Sequence, residues 1–315
     1  MQKYTIRNFN DDFPNDDACL DSILHMLYPE GVFCRTCNED RPHHKLTNRK
    51  AYSCDYCGTH VYPLAGTIFE KSSTPLKSWF YAMYLMASTR CGISAKQLER
   101  ELGVTYKTAW RMFKQVRTLL AEDDGPLSGT VEVDETLIGG KPRYRNGEQQ
   151  PRGADGKVRR GPRAKTHGKQ LATLVGAVER GGRIRTMVIP ERSGKIIIPL
   201  VATHVLPSAM IYTDEANFYR RLDRMGWAHR RVHHKANVYV DGDVHTNTIE
   251  GFWALFKNGV KGVYHSVSEK HLQSYADEYT FRYNHRKDAA PMFQTIGARV
   301  GKVRAGKYGG YSPLS

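Results

Sequence analysis

The sequence predicts an α/β domain preceded by a small cysteine-held ribbon and a helix-turn-helix. Three observations carry that expectation. Four cysteines are paired as Cys34-x-x-Cys37 and Cys54-x-x-Cys57, with 16 residues between the pairs. From Pro75 to residue 122 the apolar residues recur at helical spacing. From residue 128 to 290, short β-branched runs alternate with amphipathic stretches, the pattern of strands interleaved with helices.

Residues 1–30 read as a short helical lead, with Ala18, Cys19, Leu20, Ile23, Leu24 and Leu27 on one side and Pro29 and Gly31 ending it. Residues 31–74 form the ribbon, whose spacing is that of a four-thiolate site. Zn²⁺ takes four soft ligands in a tetrahedron, and each C-x₂-C knuckle supplies half of one. A redox C-x-x-C leaves the second pair without a purpose, and disulfides are disfavoured in a reducing compartment. Cys34, Cys37, Cys54 and Cys57 are therefore expected to hold structural zinc. Metal must hold this unit together because its apolar and aromatic content is small: Phe33, Tyr52, Tyr56, Val61 and Tyr62. Ribbons bind DNA, RNA or protein, and the sequence does not choose among them.

The stretches LKSWFYAMYLMASTR, ISAKQLERELGV and TYKTAWRMFKQVRTLL follow. The last two are joined by Gly103-Val104-Thr105, a glycine C-cap followed by a threonine N-cap. That layout is a helix-turn-helix over residues 75–122. Lys107, Arg111 and Lys114 recur at i, i+4, i+7 with Arg117 beside them, while Trp110, Phe113 and Val116 fall opposite. One face is basic and the other packs. A solvated bundle face has the same pattern; the ribbon upstream and the net charge favour a face that meets DNA.

AEDDGPLSGT, residues 121–130, is an acidic linker. The run through Val131 and Val133 is a strand, with Asp134 expected at its end. Residues 139–169 are a basic insert, with ten Lys and Arg, among them Arg143, Arg145, Arg159, Arg160 and Arg163, against Glu148 and Asp155. Too poor in large apolar residues to build a core, it is expected to order on a phosphate backbone and to make binding salt-dependent. QLATLVGAVER and RIRTMVIP are two strands turned at Gly181-Gly182. IIIPLVATHV is a crossover helix, AMIYTD a strand ending at Asp214, and HHKANVYVDGD a short strand with a loop. A helix over 247–258 carries Glu250, and HLQSYADEYTFRYNHRK is the last helix, leaving 291–315 as a tail. Three strands, helix, strand, strand, helix is the order of a ribonuclease-H-like α/β fold.

Asp134, Asp214 and Glu250 then share one end of that fold, two on strands and one on a helix. Oxygen-only donors of this kind suit hard Mg²⁺ or Mn²⁺. A pair of such ions roughly 4 Å apart serves phosphoryl transfer by activating the attacking oxygen and stabilising the leaving one. Three acids at some spacing occur in almost any chain this long; what sets these apart is context, since Asp134 and Asp214 follow apolar runs, where an unpaired charge is costly, and Glu250 opens an amphipathic stretch. Lys257 lies two turns beyond Glu250 on the same face and Asn247 one turn before it, so both join the candidate site.

The composition names a partner class. The net charge is +15 and the pI is about 9.5, which fits a polyanion. A membrane surface is disfavoured: no apolar run reaches 18 residues, and the first residues, MQKYTIRNFNDDFPNDD, are too polar and acidic for a signal peptide. Double-stranded DNA in the cytoplasm is the expected setting.

The motifs together resemble a known family. P-E-G-x-x-C-x-x-C, GTIFEKSSTPLKSWFYAMYLM, GISAKQLERELGVTYKTAWRM, VEVDETLIGGK, YTDE, HTNTIEGFWALFKNGVKGVYHSVSEKHL and RYNHR, between residues 29 and 286, are similar to those of the DDE transposases of prokaryotic insertion sequences. The group in question has an N-terminal zinc ribbon and an ISXO-like catalytic domain, insertion-sequence family fifteen-ninety-five. The resemblance implies binding to the element's terminal inverted repeats and two-metal DNA cleavage and strand transfer. It implies Asp134, Asp214 and Glu250 as metal ligands with Lys257 beside them. Some members carry Asn at the third position, which keeps Asn247 in the set. Synapsis of two element ends implies at least a dimer on DNA. A nuclease that cuts without joining, and a DNA-binding regulator with an inactive catalytic domain, are the alternatives.

Overall fold

The computed structural model describes residues 4–122, 125–139, 172–232, 245–305 and 311–313. The chain divides into two compact units, Met1–Asp123 with Asp277–Ser315, and Asp124–Ala276.

The first unit opens with α1 (Ile6–Asp12), begun by a reciprocal cap between Thr5 and Asn8, and α2 (Asp16–Leu27), capped by Asn15. Asp16 and Asp17 in the first turn of α2 suit the positive end of its dipole. The ribbon is built from β1 (Phe33–Cys34) paired with β2 (Glu39–Asp40), and from an antiparallel sheet of β3 (His43–Lys45), β4 (Tyr52–Cys54) and β5 (His60–Val61). Of the aromatic residues expected to fill it, Tyr52 is buried whereas Phe33, Tyr56 and Tyr62 are exposed. Two- and three-residue strands offer too little surface to cover them.

Three helices follow, α3 (Leu76–Ser88), α4 (Ala95–Leu102) and α5 (Tyr106–Thr118). Ser94 and Thr105 cap α4 and α5, and Gly103 ends α4 at φ +64°, a left-handed conformation that glycine adopts without strain. The short turn that joins α4 to α5 is thus set by the glycine and threonine caps legible in the sequence.

In the second unit β6 (Thr130–Ile138), β7 (Ala172–Glu179) and β8 (Ile184–Ile189) form an antiparallel meander, with Gly181 at φ +77° in the second turn. The helix α6 (Gly194–His204) crosses over to β9 (Met210–Thr213), which pairs parallel to β6. A short helix α7 (Arg220–Arg224) leads to β10 (Ala228–Arg231), parallel to β9. The sheet order is β10-β9-β6-β7-β8. Neither α7 nor β10 is evident from the sequence, where Arg-rich RRLDR and AHRR lack a clear apolar period. The strand expected within HHKANVYVDGD lies outside the described residues, as does nearly all of the basic insert.

α8 (Asn247–Gly259) packs on β6 and β7 through Ile249 and Trp253. α6 covers the other face, where Ile197 and Val201 join Val131, Val133, Val175 and Ile211 in one apolar cluster. Each fully buried aliphatic side chain of this kind stabilises the unit by about 1.5–3 kcal/mol. α9 (Glu269–Asn284) belongs to the second unit through Ala276 and to the first from Asp277.

Two expectations change in the first unit. Residues 291–315, read as a tail, contain the helix α10 (Met292–Gly297), whose Phe293 and Ile296 are buried in a cluster with Phe9, Phe13 and Phe80. Arg117, read as DNA-facing, is 3% exposed, and its Nε donates to Glu278 at 2.6 Å. At 100° per residue it stands about 80° round α5 from Lys107, on the packed side. Glu278 is fully buried and also accepts from Arg282 at 2.5 Å, and the two cations hold its carboxyl down at about 2 against the effect of burial. Arg117 is thereby committed to the interior and unavailable to phosphate.

Candidate active site and cysteine cluster

Strand β6 carries the chemistry because its side chains alternate between the two sheet faces. Val131 and Val133 enter the α6 cluster, while Glu132 and Asp134 point to the α8 side, where they meet Ile249 and Trp253. Asp134 is not at the strand end expected for it. The strand runs on to Ile138, paired with β7 throughout, and the two acids beyond Val133 both find side-chain donors, Trp253 for Asp134 and Tyr219 for Glu135. Asp214 does follow the last residue of its strand.

The parallel register aligns Val133 with Thr213, so one further step sets Asp214 beside Asp134. Their proximity is felt electrostatically. Burial, then the carboxylates of Glu135 and Asp214, push Asp134 up to about 6, partly offset by the indole N–H of Trp253, which donates to Asp134 Oδ2 at 3.0 Å. Trp253 reaches Asp134 over Gly176, the residue opposite Asp134 on β7. A Cβ there would lie 2.8 Å from the Trp253 ring and 3.1 Å from Ile249. Asp214 accepts the backbone N–H of Ala216 through Oδ1 at 2.9 Å and Arg192 through Oδ2 at 3.1 Å.

Glu250 stands on the exposed side of α8, one turn after the exposed Asn247, with half-buried Lys257 two turns further on. Thr246 donates to its Oε1 at 2.9 Å. The start of α8 is pinned to β6 by Glu132, which is fully buried and accepts from Ile249 N (3.0 Å), Thr248 Oγ1 (2.9 Å) and Arg180 Nε (2.8 Å). Arg180 also donates to the carbonyl of His245 at 2.8 Å. A carboxylate at a helix N-terminus gains from both the unpaired N–H groups and the dipole. The same strand thus holds Asp134 and fixes the helix that carries Glu250.

Glu132, Glu135, Arg180, Arg192 and Tyr219 complete this neighbourhood and were not singled out in the sequence, where Trp253 reads as a core residue. Glu135 is buried on the α6 side, accepts Tyr219 Oη at 2.6 Å and pairs with Arg192. Burial and Asp214 raise its pKa, and burial and Glu135 push that of Tyr219 well above the phenolic range. The available signal was alternation: acids at both 132 and 135 of one strand must each be buried on opposite faces, and buried carboxylates require donors.

The donor set of Asp134, Asp214 and Glu250 is oxygen-only and crowded with negative charge, which fits a hard divalent cation. The three do not close into one ligand cluster. Among the described residues, the one group of three or more His, Cys, Asp or Glu with ligand atoms within 4.8 Å of one another is Cys34, Cys37, Cys54 and Cys57. There the Cys34–Cys57 and Cys37–Cys54 sulfurs are 3.4 and 3.9 Å apart, against about 3.8 Å for a tetrahedron with 2.3 Å Zn–S bonds. Hydrogen bonds with Thr59 draw Cys57 down to about 6, while the hydrogen bond with Cys57 and burial push Cys37 up to about 12, so without metal the crowded thiols share protons that a metal would displace. The four cysteines fit one Zn²⁺.

Of the residues expected to meet DNA, Lys107, Arg111 and Lys114 are exposed on α5. Arg111 lies over Trp79 at 5.9 Å and Lys114 over Trp110 at 5.8 Å. Arg143, Arg145, Arg159, Arg160 and Arg163 lie outside the described residues. No helix among the described residues is long and apolar enough to cross a membrane.

Comparison with known proteins agrees with this organisation. Residues 126–284 match the ISXO2-like transposase domain, and residues 14–60 match the transposase zinc-ribbon domain. A protein of Halobacterium salinarum, described as an uncharacterized protein in transposable element ISH50, is 28% identical over 292 residues, 90% of this chain and 96% of its own length. An uncharacterized transposase-like protein of Haemophilus influenzae is 24% identical over 102 residues, 32% of this chain and 81% of its own. Among solved structures, the Mos1 strand transfer complex aligns at 14% identity and TM-score 0.28, covering 74% of this chain and 79% of that one. The weight rests on the sequence matches, and they are sufficient: this chain belongs to the ISXO2-like transposases of insertion sequences and carries the family's zinc ribbon.

Proposed function

We propose that the chain binds the terminal inverted repeats of its own insertion sequence, cuts the DNA there and joins the resulting end to a target. The observation that carries this reading is the β6–β9 register. It sets Asp134 beside Asp214, while Glu132, two residues before Asp134, ties down the helix bearing Glu250. The sheet order, with a three-strand meander followed by two parallel strands, supports a ribonuclease-H-like catalytic domain.

Divalent Mg²⁺ or Mn²⁺, when bound, supplies activation of the attacking oxygen and stabilisation of the leaving oxygen. Asp134, Asp214 and Glu250 would hold it. Trp253 orients Asp134 by occupying one of its two oxygens, and Thr246 restrains Glu250. Asn247 adds a polar group one turn before Glu250, and Lys257 is assigned to a phosphate oxygen of the DNA end. Lys107, Arg111 and Lys114 on α5, with the basic insert, are assigned to the phosphate backbone, where they position rather than specify. Zinc in the ribbon keeps that small unit folded. Pairing two ends requires at least a dimer on DNA, and the work is done in the cytoplasm where the DNA lies.

The test is a labelled duplex of the element's end incubated with protein, Mg²⁺ and a target plasmid. Metal-dependent nicking with label joined to the plasmid supports the reading. Nicking without joining moves it to a nuclease, and binding without nicking to a DNA-binding regulator.

A further inference from the structure

Arg192 lies in the four-residue loop between β8 and α6, and its guanidinium spans two acids. Nε pairs with Glu135, and Nη2 donates to Asp214 Oδ2 at 3.1 Å. The two ends differ in setting. Glu135 is 3% exposed and also held by Tyr219, whereas Asp214 is 28% exposed at a strand end. Arg192 itself is 47% exposed. Asp214 Oδ1 takes the N–H of Ala216, so Oδ2 is the oxygen left to face a ligand, and the guanidinium occupies it. Beside it stands Asp134, the acid that β6 sets next to Asp214.

From this geometry we propose that Arg192 is an internal counter-ion, which a divalent cation must displace from Asp214 while it stays anchored on Glu135. The proposal rests on the assignment of Asp214 as a metal ligand. It explains how carboxylates this close coexist before metal arrives, since a nearby cation offsets their repulsion. The Glu135 contact is the fixed end, because breaking it would leave the buried Glu135 carboxylate without its cation. The Asp214 end is half-exposed and worth little by itself, which makes it the end that yields. A rival role fits the same contact, a scaffold that presents Asp214 to the metal, and the two roles predict opposite signs.

Mn²⁺ binding to zinc-loaded protein, followed by the loss of the free Mn²⁺ electron-spin-resonance signal without DNA, separates them. Arg192→Met keeps the side chain's apolar stem and should bind Mn²⁺ about two- to fivefold more tightly, the range set by a half-exposed ion pair. The double variant Glu135→Gln/Arg192→Met removes one charge of each sign. It leaves no buried carboxylate unpaired and does not alter the net local charge. It should also bind more tightly, because Asp214 is released. Arg192→Lys should stay near the unsubstituted protein. Unchanged or weaker binding in the double variant overturns the proposal and makes Arg192 a scaffold. Asp214→Asn is the control for the assignment beneath it: if Mn²⁺ binding survives that change undiminished, Asp214 is no ligand and both readings fall.

Discussion

Trp253 on α8 donates its indole N–H to Asp134 on β6 at 3.0 Å, passing over the bare backbone of Gly176 on β7. One glycine thus decides how closely the helix approaches the sheet, and the helix in turn fixes the central carboxylate. Trp253→Phe keeps most of the packing and removes the donor. Losing a hydrogen-bonding partner of a metal-ligating carboxylate typically costs about 10- to 100-fold in affinity or activity. Cleavage of an end duplex should fall by that order while affinity for the duplex is retained. Equal loss of both would make Trp253 a packing residue.

Gly176→Ala tests the same contact from below. The added methyl would lie 2.8 Å from the Trp253 ring, whose neighbours are buried. Overpacking of this kind costs about 1–3 kcal/mol. A lowered denaturation midpoint and reduced cleavage are expected together, measured by urea titration and by the duplex assay. A variant as stable and active as the parent would mean that α8 does not sit this close.

Glu132 anchors α8 by two hydrogen bonds, from Thr248 Oγ1 and Ile249 N, and is itself held by its ion pair with Arg180. Glu132→Ala leaves Arg180 and the first turn of α8 without their acceptor, a change worth about 3–5 kcal/mol for a buried pair. Hydrogen exchange should show the loss first at residues 246–250. Protection lost evenly through the second unit, with no excess at those amides, would contradict the anchor.

A pH response is expected in the first unit, where His285 lies 2.6 Å from Glu122 and 2.5 Å from Asp288, and Glu122 also accepts from Asn284 and Arg299. Burial works against the charged form of His285, but the hydrogen bonds to Glu122 and Asp288 raise its pKa above the usual 6.5. Burial likewise opposes ionisation of Glu122, yet His285, Asn284 and Arg299 lower it below 4.5. The histidine's contribution is complete below pH 6.5 and is lost as pH rises through its folded value. The glutamate's is complete above pH 4.5 and is lost as pH falls through its folded value. The cluster therefore stabilises most between those limits. Melting curves of His285→Asn should lack the decline above pH 6.5 that the parent shows; an identical decline would place its source elsewhere.

Much of this architecture is legible in the sequence. The cysteine pairs, the Gly103 and Thr105 caps, the Gly181 turn and Asp214 at its strand end each follow from local chemistry that tertiary contacts leave intact. Three features are not legible, for separate reasons. Asp134 reads as a strand end because charge follows an apolar run, yet Trp253, some 119 residues later, supplies the partner that lets the strand continue. Arg117 reads as surface because its buried acceptor, Glu278, is 161 residues away. The role of α10 depends on an aromatic cluster assembled from both ends of the chain. Periodicity reports which side of an element is polar, and partners distant in sequence decide whether that polarity faces water.

The central claim, that Asp134, Asp214 and Glu250 hold one metal centre, is tested most directly by affinity cleavage of the protein itself. Fe²⁺ bound in place of Mg²⁺, with ascorbate and peroxide, cuts the backbone beside its ligands. The account predicts cuts near residues 134, 214 and 250, suppressed together by excess Mg²⁺ and absent in Asp134→Asn. Cuts confined to other segments, or cuts at these three that Mg²⁺ does not suppress, would contradict it.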